Sequence, residues 1–408
     1  MLSMRAAIRQ AATNGLSALL LSILALCGLQ SFCYSQRGAG PATSQDKLPE
    51  SFEQLAKRAE AKMEAGENAE AIRLYEQATA IRPTWSEGWW YLGTMSFDAG
   101  EYAKARDAFE HFVSVERTQP GPGFGMLGLS EFKLHEYRRA LGALERGRAF
   151  GFGSNSAFTN TALYHDAILN TYFKQPELAL QRLTLVANTI ASEHPEDPRG
   201  AVFADSQLID ALGLAALRLP KLPSEISGDQ ALLVQSAGRA QALIALQDRV
   251  AAAAEFKTLV AQYPSQPGVH YLYGVFLLKE DPAQAASEFR REIEISPSSE
   301  APRLQLAFEC LRTADYTQGL KFAQDAIALA PGNFAAHVVC GRLWLGLGNT
   351  DHALAELRTG VKLSPGSPDA HFALAQALVK AGQKEDAARE FAEFQRLKAL
   401  PETPDQAK

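Results

Sequence analysis

The feature that most restricts the fold of this chain is a repeat of about 34 residues that runs through most of its length. Gly66 and Gly100 are 34 residues apart, and Gly348 and Gly382 are separated by the same distance. The prolines that close the later units keep this spacing to within one residue: Pro264, Pro297, Pro331 and Pro365. Such a period predicts a stack of similar structural units, because each unit can bury its apolar surface only against its neighbours.

Two positions within the repeat indicate what each unit is. Units begin near residues 52, 86, 121, 160, 233, 267, 300, 334 and 368. The eighth position is small in every unit: Ala59, Gly93, Gly128, Ala167, Ala240, Gly274, Ala307, Gly341 and Ala375. The twenty-fourth position is bulky in all units except at Ala323: Tyr75, Phe109, Leu144, Leu183, Phe256, Phe289, Leu357 and Phe391. Antiparallel helices approach closely only where the facing residues are small, so each unit is predicted to be a helix–turn–helix pair.

The second unit carries the whole pattern, at Trp89, Leu92, Gly93, Gly100, Tyr102, Ala105 and Phe109. With these residues the chain resembles the tetratricopeptide repeat (TPR) family over most of residues 52–400. The resemblance implies an all-α fold, namely a right-handed α-solenoid of about nine helix–turn–helix repeats with an irregular helical insert in the middle. The pattern is specific for the fold and says almost nothing about the partner.

The repeat is interrupted at residues 191–232, which hold a polar proline-rich stretch, a candidate amphipathic helix over 201–219 and a further loop. Because this length exceeds a normal turn, we expect an irregular insert or extra helix. The insert is either an eroded repeat or a hinge that is specific to a partner. It would separate an N-terminal array of about four repeats at 52–190 from a C-terminal array of about five repeats at 233–400.

The N-terminus has the composition of a targeting segment. Residues 1–40 contain three arginines and no acidic residue, and an apolar run of about 14 residues spans 16–29. We therefore expect a signal peptide at 1–35, or alternatively an uncleaved N-terminal anchor, followed by a flexible linker at 36–51. Residues 401–408 are expected to be a disordered tail. The predicted location is exported, in the periplasm or cell envelope of a bacterium.

Composition and motifs argue against several classes of function. The formal net charge is −6, so bulk charge gives no indication of nucleic-acid binding. A GxGxxG match that begins at Gly123 follows no predicted strand, and Gly128 is already explained by helix packing. The sequence contains no HExxH, no GxSxG nucleophile elbow and no phosphate-binding GxxxxGK[ST] motif. We expect neither enzymatic activity nor a cofactor.

Three histidines are candidate metal ligands, and two cysteines are candidates for a disulfide. His270, His337 and His371 occupy the same position of three first helices. We expect them to fill the position of Trp89 as half-buried residues, because a metal would need further convergent ligands. Cys310 and Cys340 lie on first helices of adjacent units, and the sequence leaves open whether they pair or remain core thiols.

The resemblance implies that the first helices line a concave groove, which is the predicted partner-binding surface. Its candidate residues are mainly aromatic: Trp90, Phe97, Phe132, Tyr164, Tyr172, Tyr271, Phe308, Arg312, Arg342 and Phe372. The fifth position of the units holds no lysine and the ninth holds no asparagine, so a clamp for peptide C-termini is not expected.

Together these features predict a non-catalytic protein–protein interaction scaffold that binds a partner peptide or protein in its groove. Contact with a membrane is expected only through the N-terminal segment, if that segment is not cleaved. Two alternatives stay open. One is a self-associating structural protein, since the sequence does not give the oligomeric state. The other is a glycan-binding accessory of an export or secretion system, because aromatic side chains can also stack on sugars.

Overall fold

The computed structural model describes residues 50–399, whose regular structure consists of twenty α-helices and one short 3-10 turn at Pro223–Glu225. The helices are α1 (Phe52–Glu64), α2 (Asn68–Ile81), α3 (Ser86–Asp98), α4 (Tyr102–Val115), α5 (Gly121–Lys133), α6 (Tyr137–Phe150), α7 (Ser156–Tyr172), α8 (Pro176–Glu193), α9 (Pro198–Ala204), α10 (Ser206–Ala216), α11 (Gly228–Ala245), α12 (Arg249–Gln262), α13 (Val269–Leu277), α14 (Pro282–Ile295), α15 (Ala301–Arg312), α16 (Tyr316–Leu329), α17 (Phe334–Gly346), α18 (Thr350–Leu363), α19 (Pro368–Lys380) and α20 (Lys384–Ala399). The predicted signal segment and the 401–408 tail lie outside the described residues.

The chain divides into two compact units, one ending at Phe173 and the other beginning at Lys174. Unit 1 contains the helix pairs α1–α2, α3–α4 and α5–α6, followed by α7. Unit 2 begins with α8 and includes the pairs α11–α12, α13–α14, α15–α16, α17–α18 and α19–α20. We call the earlier member of each pair, and α7, a first helix, and the later member a second helix. The predicted all-α fold of stacked helix–turn–helix repeats is confirmed.

In the four repeats with glycine at the eighth position, this glycine faces the bulky twenty-fourth residue across the helix pair. A Cβ atom on Gly93 would lie 2.7 Å from the Phe109 ring, and one on Gly274 would lie 2.6 Å from the Phe289 ring. Such distances are well inside van der Waals contact, so glycine here lets an aromatic ring of the second helix lie directly on the first helix. The rings of Phe109 and Phe289 are fully buried.

Most turns between the two helices of a pair end in a residue with left-handed backbone. Four of these residues are the periodic glycines Gly66, Gly100, Gly348 and Gly382, with φ between 73° and 79°. The same conformation also occurs at non-glycine residues: His135, Lys174, Arg218, Gln247 and Ala314. The following helices fix the turn strongly enough to hold an unfavourable backbone conformation where glycine is absent.

The segment predicted as an insert is helical for much of its length. Instead of one helix over 201–219, the structure has the separate helices α9 and α10. The Asp197 carboxylate accepts a hydrogen bond from the Gly200 N–H (2.9 Å), and the Asp205 carboxylate accepts one from Leu208 N–H (3.0 Å). Each aspartate therefore caps a new helix N-terminus, which is the physical reason for the break. Helix α10 packs closely on α11, since a Cβ on Gly238 would lie 2.0 Å from the Ile209 carbonyl oxygen.

None of the helices within residues 50–399 combines the length and the hydrophobicity that a membrane crossing requires.

Candidate interaction faces

In part of each unit, first helices pack side by side. Consecutive first helices contact each other, α3 with α5 and α5 with α7 in unit 1, and α15 with α17 and α17 with α19 in unit 2. The second helices α12, α14, α16, α18 and α20 make no contact of comparable extent with one another. These first helices are therefore packed more closely on one another than the second helices are. We call the solvent-accessible surface of these helices the first-helix face of each unit.

In unit 1, the structure places two predicted groove residues mainly in helix packing. The Trp90 ring is half-buried against Phe109 and Phe112, with centroids 5.8 and 5.3 Å away. Phe97 is only 6% exposed and its ring packs edge-on against Tyr102. Phe97 therefore offers little surface to a partner, whereas part of Trp90 remains accessible.

The other predicted residues of unit 1 are brought together in one aromatic cluster. Tyr137 lies between Phe132 and Tyr172, with centroid distances of 5.4 and 5.5 Å. His165 lies between Phe132 (4.8 Å) and Tyr164 (5.3 Å). Sequence reasoning missed Tyr137 and His165, because Tyr137 begins a second helix and His165 lies at a position that was not assigned to the groove. Most of these ring pairs are edge-to-face, which locks the rings to each other.

Two titratable groups at this cluster, the buried Glu131 and the half-buried His165, have shifted pKa values. Glu131 is 3% exposed, and burial raises its pKa to about 7, although the Arg139 guanidinium 3.1 Å away partly opposes the rise. Burial lowers the pKa of His165 to about 4, against a hydrogen bond with the Thr161 carbonyl oxygen. The environment therefore disfavours charge on both groups.

In unit 2, Tyr271 combines a predicted position with a partner that the sequence did not reveal. Its half-buried ring packs against Phe289 (5.9 Å), and the Arg218 guanidinium lies 5.5 Å from the ring centroid. Arg218 comes from the turn after α10 and also forms an ion pair with Glu177. The irregular segment thus contributes a cation to the neighbourhood of the first-helix face, a contribution that periodicity could not indicate.

Two of the predicted residues, Phe308 and Phe372, are exposed aromatic side chains on the first-helix face of unit 2. Phe308 is 36% exposed and Phe372 is 38% exposed, although Phe372 also packs against Phe394 at 5.1 Å. Val275 and Val379, on α13 and α19, are exposed as well. Three first helices of unit 2 thus carry exposed apolar side chains that a partner could cover.

The two predicted arginines differ in whether an acidic side chain pairs with them. The Arg312 guanidinium donates two hydrogen bonds to the Glu309 carboxylate, at 2.9 and 2.6 Å, so much of its charge is compensated locally. Arg342 is exposed and has no ion-pair partner within residues 50–399. Of the two, Arg342 is therefore the cation that remains available to an acidic group of a partner.

The glycines of the GxGxxG match and the two cysteines are part of the helix packing. Cβ atoms on Gly123, Gly125 and Gly128 would fall 2.2–2.8 Å from neighbouring side chains, so the GxGxxG match serves close helix contacts. Cys310 and Cys340 are buried free thiols, and burial raises the pKa of Cys340 to about 12. Within the described residues no group of three His, Cys, Asp or Glu side chains is placed to hold a metal ion.

Three segments match family models described as tetratricopeptide repeat: residues 56–120, 237–300 and 345–398. These segments begin in unit 1 and extend to the last helix pair of unit 2. The chain is a tetratricopeptide repeat protein.

A search among curated proteins gives no match. Among solved structures the chain is similar to MamA 41-end from Desulfovibrio magneticus RS-1, at 19% identity over 43% of this chain and 99% of that chain, with a TM-score of 0.39. It is also similar to the MamA RS-1 ArsTM double mutant, at 20% identity, 42% and 97% coverage and a TM-score of 0.38. YrrB, described as a TPR protein with an unusual peptide-binding site, shows 16% identity, 42% and 89% coverage and a TM-score of 0.36.

The TPR family is a family of protein-interaction scaffolds, typically without catalytic activity. In this TPR protein the surfaces available for such a role are the first-helix faces of the two units. Of the ten predicted groove residues, Phe308, Arg342 and Phe372 are exposed, Arg312 is exposed but paired with Glu309, and Phe97 is buried. The half-buried residues are Trp90, Phe132, Tyr164, Tyr172 and Tyr271.

Proposed function

We propose that this TPR protein is a non-catalytic scaffold of the bacterial cell envelope that holds a partner peptide or protein against its first-helix faces. The observation that carries the proposal is that exposed apolar side chains recur on first helices of unit 2, among them Val275, Phe308 and Phe372. Exposed apolar side chains of this kind lose contact with water only when a partner covers them, which favours binding.

Two basic side chains on the same set of first helices would set the orientation of a bound peptide. Arg342 lies on α17, between the helices that carry Phe308 and Phe372, and its charge is not compensated within residues 50–399. Lys380 ends α19, where its ammonium donates to the Leu345 carbonyl oxygen at 3.4 Å. Aromatic anchors give binding energy, and flanking charges set the register and orientation of a bound peptide.

The test compares capture by three forms of residues 36–408. The wild type is immobilised beside a face variant, Tyr271→Ala/Phe308→Ala/Phe372→Ala, and a matched control, Val250→Ala/Leu329→Ala/Leu363→Ala. The control residues are exposed apolar side chains of second helices. We expect a partner from a native envelope extract to be retained by wild type and control, and lost by the face variant. The purified partner should then bind wild type and control with similar affinity, and the face variant more weakly.

Two results would count against the scaffold. Equal retention by the face variant and the control would remove the first-helix face of unit 2 as the binding surface. Capture of only further copies of the chain would favour self-association. Circular dichroism of each variant shows whether a loss of binding comes from a loss of fold.

The envelope location rests on the basic, acid-free start of the sequence and its apolar run at 16–29. A fusion of alkaline phosphatase after Lys408 tests it, because that enzyme is active only outside the cytoplasm. We expect an active fusion, and a fusion without residues 1–35 should be inactive. A stable but inactive full-length fusion would contradict export.

A further inference from the structure

Three first helices of unit 2 begin with the same arrangement of side chains, in which a histidine at the fourth position of the repeat makes two short contacts. Its Nε2 atom lies 3.0 Å from a proline carbonyl oxygen six residues earlier, and its Nδ1 atom lies 2.6 Å from a glutamate Oε2 on the second helix. The three sets are His270 with Pro264 and Glu288, His337 with Pro331 and Glu356, and His371 with Pro365 and Glu390. We call each set a clasp.

Both neighbours of the imidazole are hydrogen-bond acceptors. A proline carbonyl oxygen can only accept, so Nε2 must carry a hydrogen atom. A neutral imidazole has one N–H, and its Nδ1 lone pair would then face the carboxylate oxygen at 2.6 Å without a donor between them. A second proton between Nδ1 and Oε2 converts this contact into a charge-assisted hydrogen bond. Each closed clasp therefore holds one proton more than a neutral imidazole and a carboxylate do separately.

The surroundings of the clasps favour that proton. The three imidazoles are only 6–8% exposed. Acidic groups lie beside them: Glu288 at His270, Glu356 at His337, and Glu390 and Glu393 at His371. Glu292 accepts hydrogen bonds from the Gly268 and Tyr271 N–H groups close to His270. No lysine or arginine pairs with the three clasp glutamates within residues 50–399. The neighbouring Tyr273 and Cys340, which lie in the field of Glu288 and Glu356, are neutral hydrogen-bonding groups.

Unit 1 contains a version of the clasp that needs no extra proton. Trp89 occupies the same fourth position and its indole N–H donates to the Pro83 carbonyl oxygen at 2.8 Å. Indole does not titrate in the physiological range, and the ring stacks on His111 at 4.3 Å instead of meeting a carboxylate. The corresponding turn is thus closed by an indole N–H in one repeat and by a histidine in three repeats.

We propose that the three histidine clasps are proton-dependent latches, which hold the turns before α13, α17 and α19 closed at mildly acidic pH and release them as the pH rises. Because a closed clasp holds one proton more than an open turn, a rise in pH favours the open turn. Each latch directly precedes a residue at the fifth position of its repeat, namely Tyr271, Val338 and Phe372. Acidity would in this way order the start of the helices that form the first-helix face of unit 2.

Hydrogen exchange of the purified chain between pH 5.5 and 8.5 tests the latches without any partner. Protection factors, corrected for the intrinsic pH dependence of exchange, are compared for residues 264–271, 331–338 and 365–372 and for the tryptophan turn at 83–90. We expect protection in the three histidine turns to fall above neutral pH by up to about tenfold per pH unit, the limit for loss of one proton. Protection at the tryptophan turn should stay constant.

The matched variant is Glu288→Gln/Glu356→Gln/Glu390→Gln. A glutamine amide can donate to the bare Nδ1 of a neutral imidazole, so it keeps the contact without the extra proton. Protection in the three turns should then be independent of pH. An unchanged wild-type slope in this variant would overturn the proposal, and so would a parallel loss of protection at the tryptophan turn. If the variant does not fold, ¹⁵N NMR of the wild-type imidazoles at pH 6 decides, since neutral Nε2–H tautomers at all three histidines would equally overturn the latch.

Discussion

At the scale of single residues, the small residue at the eighth position of the repeat sets how closely the two helices of a pair can approach. Glycine at the eighth position lets a side chain of the second helix lie directly on the backbone of the first helix, as Phe289 does on Gly274 and Leu357 on Gly341. Alanine occupies the same position in other repeats, for example Ala59 and Ala375, which are themselves fully buried. The crossing therefore accepts one small side chain only where the facing residue leaves room for it.

A Gly274→Ala substitution tests this contact. The new Cβ would lie 2.6 Å from the Phe289 ring and would push the ring out of its buried position, so we expect a loss of roughly 1–3 kcal/mol in the free energy of unfolding. Gly366→Ala is the control, because a Cβ there would meet nothing within 4 Å. Urea unfolding followed by circular dichroism gives both values. Equal stability of the two variants would show that the crossing has room for a methyl group.

The buried carboxyl of Glu131 makes stability depend on pH. Its pKa is raised from 4.5 to about 7, so the folded state binds its proton more tightly than the unfolded state does. Its favourable contribution is therefore complete below pH 4.5 and declines as the pH rises to about 7. We expect Glu131→Gln to unfold at higher urea concentration than wild type at pH 8, and to lack this part of the pH slope. Glu136→Gln, which alters an exposed ion pair of the same Arg139, should keep the slope.

At the scale of the helix pair, the turn between first and second helix is set by packing of both helices, and residue preference adjusts only its stability. Ala314 has φ of 61°, the conformation that Gly348 adopts one repeat later at 79°. For an L-residue this conformation is strained, and the strain persists because α15 and α16 fix the turn.

Ala314→Gly should relieve this strain and stabilise the protein by about 1 kcal/mol. The same chemical change at Ala328, an exposed position inside α16, should instead destabilise it by about 1 kcal/mol, because glycine has a low helix propensity. The opposite signs, read from thermal or urea unfolding, separate the effect of the turn from the general effect of glycine. A destabilised Ala314→Gly variant would contradict the account.

At the scale of the whole molecule, both end helices of the described chain present polar surfaces. Only Leu55 and Ala59 of α1 and Ala387 of α20 are buried. Terminal repeats of this kind close a stack, since a polar outer surface gives a further repeat or a second copy little to bury.

We therefore expect residues 36–408 to be monomeric. Light scattering over a hundredfold range of concentration should give one constant mass, slightly below the 44.3 kDa of the full chain. A mass that rises with concentration would favour the self-associating alternative. Repeating the measurement with Phe308→Ala/Phe372→Ala would then show whether the first-helix face of unit 2 forms the contact.

The sequence by itself determined the repeat, the helix pairs and the residues at their crossings, because a 34-residue pattern of small and bulky side chains is a local property of the chain. It also placed His270, His337 and His371 in the position of Trp89, where each ring donates to a proline carbonyl oxygen. The exposure of individual groove residues was not determined in this way: Phe97 and Phe308 occupy first helices alike, yet one is buried and the other is not.

Only the tertiary structure decided which side chains meet between elements that are distant in sequence. It brought Arg218 to Tyr271, Tyr137 to Phe132 and Tyr172, and a glutamate of the second helix to each clasp histidine. Periodicity specifies which face of a helix is buried, but the distance between two side chains depends on how the helices are placed against each other. The chemistry of the faces and of the clasps depends on those distances, and so it became visible only in the folded chain.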